Sequence, residues 1–162
     1  MQTLFRAKMM LAIVSFGLFV SAVTIWPAQW ELETLVSVVW GDREATGAMH
    51  QFLLEVIEAL DTIGARYPFL WYGYDWLAFA HLMLAILFAG AIRDPVRNVW
   101  VIQFGLICCA LVPVLAAVFV PIRGLPLWWI LVDAAFAPAA AVPLWIALRD
   151  VRAFEKRAER AR

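Results

Sequence analysis

Four long apolar runs constrain this chain more than any other feature, because each is long enough to cross a bilayer as a helix. A hydrocarbon core of about 30 Å needs about 20 helical residues at a rise of about 1.5 Å each. Hydrophobic residues make up 65% of the sequence, against about 45–50% in soluble domains. We therefore predict an all-α integral membrane protein, a four-transmembrane-helix bundle in which residues 1–162 form a single membrane domain. The predicted spans are Met9–Trp26, Tyr72–Ile92, Val99–Val120 and Leu125–Leu148.

Basic residues are distributed unevenly between the two sides that these spans create. Ten of the 13 lysines and arginines precede the first run, separate the second from the third, or follow the fourth. Only Arg43, Arg66 and Arg123 fall on the other side. Because basic residues accumulate in cytoplasmic loops, this asymmetry predicts that both termini are cytoplasmic (N-in, C-in), in a bacterial inner membrane. Most Trp and Tyr residues fall near the predicted outer ends of the spans, a depth that amphipathic rings prefer.

The first span allows a second interpretation. Arg6 and Lys8 followed by an apolar stretch also describe a secretory signal peptide, and Val20–Ala22 has the small-residue character of a cleavage site. The apolar run continues past that point to Trp26, which favours an uncleaved membrane anchor.

Residues 27–71, between the first and second spans, are predicted to form an outer helical segment. Pro27 suits the first turn of a short helix that reaches Trp40. Further along, apolar residues recur at three- and four-residue spacing, with acidic residues on the opposite face. This amphipathic helix either caps the bundle or binds a partner. The apolar positions are Met49, Phe52, Leu53, Val56, Ile57, Leu60 and Ile63, and the acidic ones are Glu55, Glu58 and Asp61.

The inner turn between the second and third spans contains residues typical of a helix start. Asp94 can cap the third helix, and Pro95 fits its first turn. Gln103, about one turn into the third span, is expected to hydrogen-bond another helix. Residues 149–162 carry mixed charge at helical spacing, so we predict a cytoplasmic tail that continues the fourth helix.

Two ionisable residues lie deep in the predicted spans. The helical rise places His81 about 13 Å and Asp133 about 12 Å below the outer ends of their helices, which run in the same direction. Each lies on a face rich in alanine, and small residues mark helix contacts in membranes. Because an ionisable side chain in lipid is costly, both are expected to face the bundle interior. The sequence therefore predicts that His81 and Asp133 are neighbours.

These two residues suggest an outward-facing polar pocket. Arg123, in the outer turn above Asp133, would lower the cost of burying that carboxylate. The alternative is a purely structural polar contact that sets helix pairing. The residues predicted for the pocket are His81, Asp133 and Arg123, with Asp75, Tyr74 and Trp129 at its mouth.

The sequence favours neither a metal nor a cofactor. Cys108 and Cys109 lie in the middle of an apolar span and are interpreted as packing residues, since their spacing suits neither a redox pair nor zinc. Two histidines could ligate a haem, but one histidine on each of two segments does not favour it. The sequence contains no glycine-rich phosphate loop, hydrolase elbow or zinc-protease motif. We predict no metal, no cofactor and no catalytic residue.

Three function classes remain, and we rank them as follows. The first is a non-catalytic accessory or scaffold protein of a membrane complex. The second is a small-molecule or lipid binder, or a transport-related protein, that uses the polar pocket. The third is a membrane enzyme acting on lipid or quinone with His81 as acid–base. The expected partners are the lipid bilayer and another membrane protein or a second copy of the chain. The zero formal net charge gives no bias toward nucleic acid.

Overall fold

A computed structural model describes residues 2–41, 45 and 47–160 of the chain. In these residues the secondary structure is helical, with a short 3-10 helix at Pro68–Leu70 directly before the fourth α-helix. The α-helices are α1 (Gln2–Ile25), α2 (Ala28–Trp40), α3 (Ala48–Arg66), α4 (Trp71–Arg93), α5 (Val99–Ile122) and α6 (Trp129–Arg160).

Four helical segments are long and apolar enough to cross a bilayer, which confirms the all-α, membrane-type character predicted from the sequence. The last of them begins at Trp129 rather than at Leu125, because Leu125 precedes Pro126 and the residue before a proline disfavours the α conformation. It then continues to Arg160, as predicted for the tail. The four segments are Gln2–Ile25, Pro68–Arg93, Val99–Ile122 and Trp129–Arg160.

The chain forms two compact units. Unit 1 comprises Met1–Gly17 and Leu84–Arg162, and unit 2 comprises Leu18–Met83. Unit 1 therefore contains the beginning of α1, the end of α4, and the whole of α5 and α6. Unit 2 contains the end of α1, the whole of α2 and α3, and the beginning of α4.

The core of unit 1 centres on Gly105. A Cβ atom added at this glycine would lie 2.8 Å from both the Phe88 side chain of α4 and the Leu144 side chain of α6. Phe88 and Leu144 are themselves buried, with 3% and 1% of their surface exposed. Only a glycine lets these two large apolar side chains approach the α5 backbone so closely.

A tight turn joins α5 to α6. Gly124 has φ +70°, and its N–H donates to the Pro121 carbonyl. The next N–H, from Leu125, donates to the Val120 carbonyl. This pair of hydrogen bonds is a Schellman motif, which ends a helix by placing a left-handed residue after the C-cap. The C-cap is Arg123, and the motif reverses the chain so that α6 packs against α5.

Polar contacts connect α1 to α4 within unit 1. Ser15 Oγ donates to the Ala85 carbonyl at 2.8 Å, and Lys8 Nζ donates to the Arg93 carbonyl at 3.1 Å. Alanine is buried at position 85 but exposed at position 89, so only part of the predicted alanine-rich face of this helix packs against protein.

In unit 2, α2 and α3 pack as an antiparallel hairpin. At one end the Trp40 and His50 rings stack with their centroids 4.7 Å apart. At the other end Gln29 Nε2 donates to a carboxylate oxygen of Asp61. The helices at Ala28–Trp40 and Ala48–Arg66 confirm that the segment between the first two spans is helical.

Asp94 shapes the turn between α4 and α5. Its Oδ1 accepts the Arg97 N–H at 3.1 Å, while its carbonyl accepts from the Asn98 side chain at 2.8 Å. Asn98, not Asp94, occupies the N-cap position of α5, because the helix begins at Val99. Asp94 thus caps the preceding turn, in which Pro95 is buried.

Candidate functional site

The structure places His81 on α4, half-buried and bonded within its own helix. Its Nδ1 lies 2.8 Å from the Leu77 carbonyl oxygen. Since a carbonyl can only accept, Nδ1 carries the proton and donates it. In the neutral ring Nε2 is then the acceptor.

Asp75 and Tyr74, predicted at the mouth of the pocket, lie one and two residues before Trp76 in the first turns of α4. Trp26 Nε1 donates to Asp75 Oδ1 at 3.2 Å, and the Tyr74 ring lies 5.0 Å from that of Trp71. Both contacts are local to unit 2 and form part of an aromatic cluster near the start of α4.

The other three predicted pocket residues belong to unit 1. Arg123 is exposed in the α5–α6 turn, and Asp133 is half-buried on α6. Trp129 begins α6 and lies edge-on to Trp128, with ring centroids 5.4 Å apart. Because His81 belongs to unit 2 and Asp133 to unit 1, their meeting stays a prediction. The predicted hydrogen bond of Gln103, half-buried on α5, also stays a prediction.

In the described part of unit 1, the carboxylate that pairs with arginine is Asp150, not Asp133. Arg6 Nε and Nη2 donate to the two carboxylate oxygens of Asp150, each at 2.6 Å. Asp150 is buried, with 3% of its side-chain surface exposed, whereas 51% of the Arg6 side chain is exposed. Arg149 Nε lies 3.9 Å from Asp150 Oδ1. A bidentate arrangement of this kind is the strongest that a guanidinium makes with a carboxylate.

The Arg6–Asp150 pair was not predicted from the sequence, where Arg6 was interpreted only as a basic residue before the first span. Arg6 and Asp150 are 144 residues apart in the chain. One signal was available: Asp150 is an acidic residue flanked by Arg149 and Arg152, next to the apolar end of the last span. A carboxylate in that position gains most from a cation on a neighbouring helix.

Helix α2 carries an apolar face that its own unit leaves exposed. Val36 points into the hairpin and is buried, while Leu35, Val38 and Val39, at three- and four-residue spacing, are exposed on another side of the helix. The hydroxyls on this helix do not make that side polar: Thr34 Oγ1 donates to the Trp30 carbonyl and Ser37 Oγ to the Thr34 carbonyl. We call this surface the α2 face, formed by Leu35 (50% exposed), Val38 (77%) and Val39 (53%), while Trp30 (66%) is exposed nearer the start of the helix.

The α2–α3 hairpin also carries acidic residues. Glu31 lies in the first turn of α2, and Glu33 is exposed on the same helix. On α3 the exposed acidic residues are Glu55, Glu58 and Asp61. A contiguous exposed apolar surface is typical of a site that binds another protein.

Neither a metal site in the described residues nor a known relative indicates a function for this chain. Among residues 2–41, 45 and 47–160, no three His, Cys, Asp or Glu side chains are arranged to hold a metal ion. Cys108 and Cys109 are free thiols, half-buried on α5. Comparison of the chain with protein-family models, with curated proteins and with solved structures found no match.

Proposed function

We propose that this chain is a small non-catalytic accessory or scaffold protein of a membrane complex, and that it binds its partner through the α2 face. The observation that carries the proposal is the exposure of Leu35, Val38 and Val39 on one side of α2. Isolated exposed apolar residues are ordinary, but a contiguous group on one helix marks an interaction surface. The acidic residues of the α2–α3 hairpin favour a membrane protein with a basic surface over anionic lipid headgroups.

The proposed setting is a bacterial inner membrane with α2 and α3 outside and both termini in the cytoplasm. The basic-residue asymmetry of the sequence supports this orientation. Two contacts in unit 1 support a common side for the chain ends: Arg6 near the start of α1 binds Asp150, and Lys8 binds the last residue of α4. Because the start of α1 contacts the later part of α6, the two helices run in opposite directions there. Opposite directions are expected for an even number of crossings.

Photo-crosslinking in native membranes tests the proposed interface. A photoactivatable residue at Val38 should give one protein adduct of constant mass, and the same protein should co-purify with the full chain. The variant Val38→Glu should abolish that co-purification, because it places a charge in an apolar interface. The matched control is Phe136, which is 70% exposed on a membrane span and should capture lipid. Lipid adducts alone at both positions would contradict the proposal.

The alternative is a ligand-binding or transport-related protein with a pocket at His81, Asp133 and Arg123. His81 and Asp133 are both half-buried within apolar spans, which supports a polar interior site since lipid exposure of either side chain is costly. The Nδ1 hydrogen bond to Leu77 would hold the His81 ring in one tautomer, as a binding site needs.

A further inference from the structure

One stripe of α6 carries an open groove that changes from apolar to cationic along the helix. The groove has a volume of about 300 Å³. Its lining residues recur at three- and four-residue spacing and therefore share one side of the helix. They are Trp145, Leu148, Arg149, Arg152, Ala153 and Lys156.

Most of this stripe lies outside the side of α6 that packs in unit 1, and Leu148, which is 5% exposed, lies at the border between the two. The packed side carries Leu144, Ala147 and Val151, which are at most 1% exposed. On the groove side Trp145 is 62% exposed, and Arg149, Arg152 and Lys156 are exposed as well. The groove cations are therefore accessible from outside the unit.

The ion pair at Asp150 leaves these cations available. Asp150 receives both of its short hydrogen bonds from Arg6, on the packed side of α6. Arg149 Nε comes no closer than 3.9 Å to Asp150 Oδ1. The Asp150 carboxylate already accepts two short hydrogen bonds from Arg6. A site with three cations and an already neutralised carboxylate has a net positive charge.

We infer that this groove binds an anionic glycerophospholipid of the surrounding bilayer. The apolar end, at Trp145 and Leu148, lies nearer to the centre of the span and suits the acyl chains. The cationic end, at Arg152 and Lys156, lies about 10 to 16 Å further along the helix and suits the phosphate. Basic pockets next to spans are the usual protein sites for anionic headgroups.

Native mass spectrometry of the full-length protein tests this site with a defined probe. The protein is mixed with phosphatidylglycerol and phosphatidylcholine of identical acyl chains, and the ratio of the two retained lipids is measured. The wild type should retain phosphatidylglycerol preferentially. The variant Arg152→Gln/Lys156→Gln should lower that preference about 30-fold, equal to about 2 kcal/mol for two cations near the headgroup.

The chain offers a matched control with the same change in charge. Arg157 and Arg160 lie on the same part of α6 but do not line the groove. The variant Arg157→Gln/Arg160→Gln should retain the wild-type lipid ratio, and both double variants should keep the wild-type unfolding midpoint. Equal losses in the two double variants would show a diffuse charge effect and overturn the site. Displacement of the lipid by inorganic phosphate would overturn it too, by showing a simple anion site.

Discussion

Asp150 is almost completely buried, yet its ion-pair partner Arg6 keeps half of its side chain exposed, and this asymmetry determines what each substitution costs. Removing Arg6 leaves a carboxylate without its bidentate partner in a buried position. Removing the charge of Asp150 leaves an arginine that can rehydrate. Breaking a buried pair costs most when the remaining charge is the buried one.

We therefore expect Arg6→Gln to lower the unfolding midpoint more than Asp150→Asn does. Thermal unfolding in detergent, followed by circular dichroism, measures both. Arg160→Gln, which removes a tail charge outside the pair, should leave the midpoint unchanged. If Asp150→Asn costs as much as Arg6→Gln, the burial asymmetry does not control the energetics.

Gly105→Ala should destabilise the protein by about 1 to 3 kcal/mol, because the new methyl group would overlap the Phe88 and Leu144 side chains. Gly90→Ala is the matched control, since no atom lies within 4 Å of a Cβ added there. Alanine in place of glycine should even stabilise that helix slightly. The measurement is the free energy of unfolding of both variants in the same detergent. Equal stability of the two variants would contradict the close packing at Gly105.

Gly124→Ala should cost about 1 kcal/mol through the backbone alone. The space around Gly124 is open, but its φ of +70° is one that alanine rarely adopts. Gly124→Asn is the informative companion, because asparagine tolerates the left-handed region better. Stability should follow the order glycine, asparagine, alanine, and unfolding curves of the three proteins check it. A steric cause would instead penalise the larger asparagine most.

Reporter fusions should place the two sides of the protein as the charge pattern predicts. A fusion after Arg162 should report a cytoplasmic location, and one near Ala48 an external location, because most basic residues fall on the side of the termini. Two reporter enzymes are fused at each site, one that is active only in the cytoplasm and one that is active only outside, so that each location is measured twice. External activity of the C-terminal fusion would refute the orientation.

Cysteine crosslinking tests the predicted meeting of His81 and Asp133. In a background in which Cys108 and Cys109 are replaced by alanine, His81→Cys/Asp133→Cys should form a disulfide on mild oxidation, which requires Cβ atoms about 4 Å apart. The control pair is Ala80→Cys/Asp133→Cys, with the first cysteine on a different side of α4. Gel mobility separates the crosslinked from the open chain. If only the control pair crosslinks, α4 presents another face and the pocket is refuted.

The four membrane-type helices could be predicted from the sequence because the length and hydropathy of a span are local properties. The outer helices were predictable for a similar reason, since Pro27 and the apolar spacing before Gly64 depend only on neighbouring residues. Long-range partners were not predictable in this way. Nothing near Arg6 indicates that its acceptor is Asp150, and nothing near Gly105 identifies Phe88 and Leu144 as the side chains above it. Those partners depend on helix rotation and packing, which one sequence does not encode locally.

The Arg6–Asp150 pair also orders events during synthesis. Arg6 leaves the ribosome 144 residues before Asp150 does. At about 5 to 20 residues per second, α1 waits on the order of ten seconds for its partner. During that time α1 can already bind α4 through Ser15 and Lys8. Helix α6 therefore adds the ion pair to an α1–α4 contact that is already possible, and a chain that stops before Asp150 keeps that contact but lacks the ion pair.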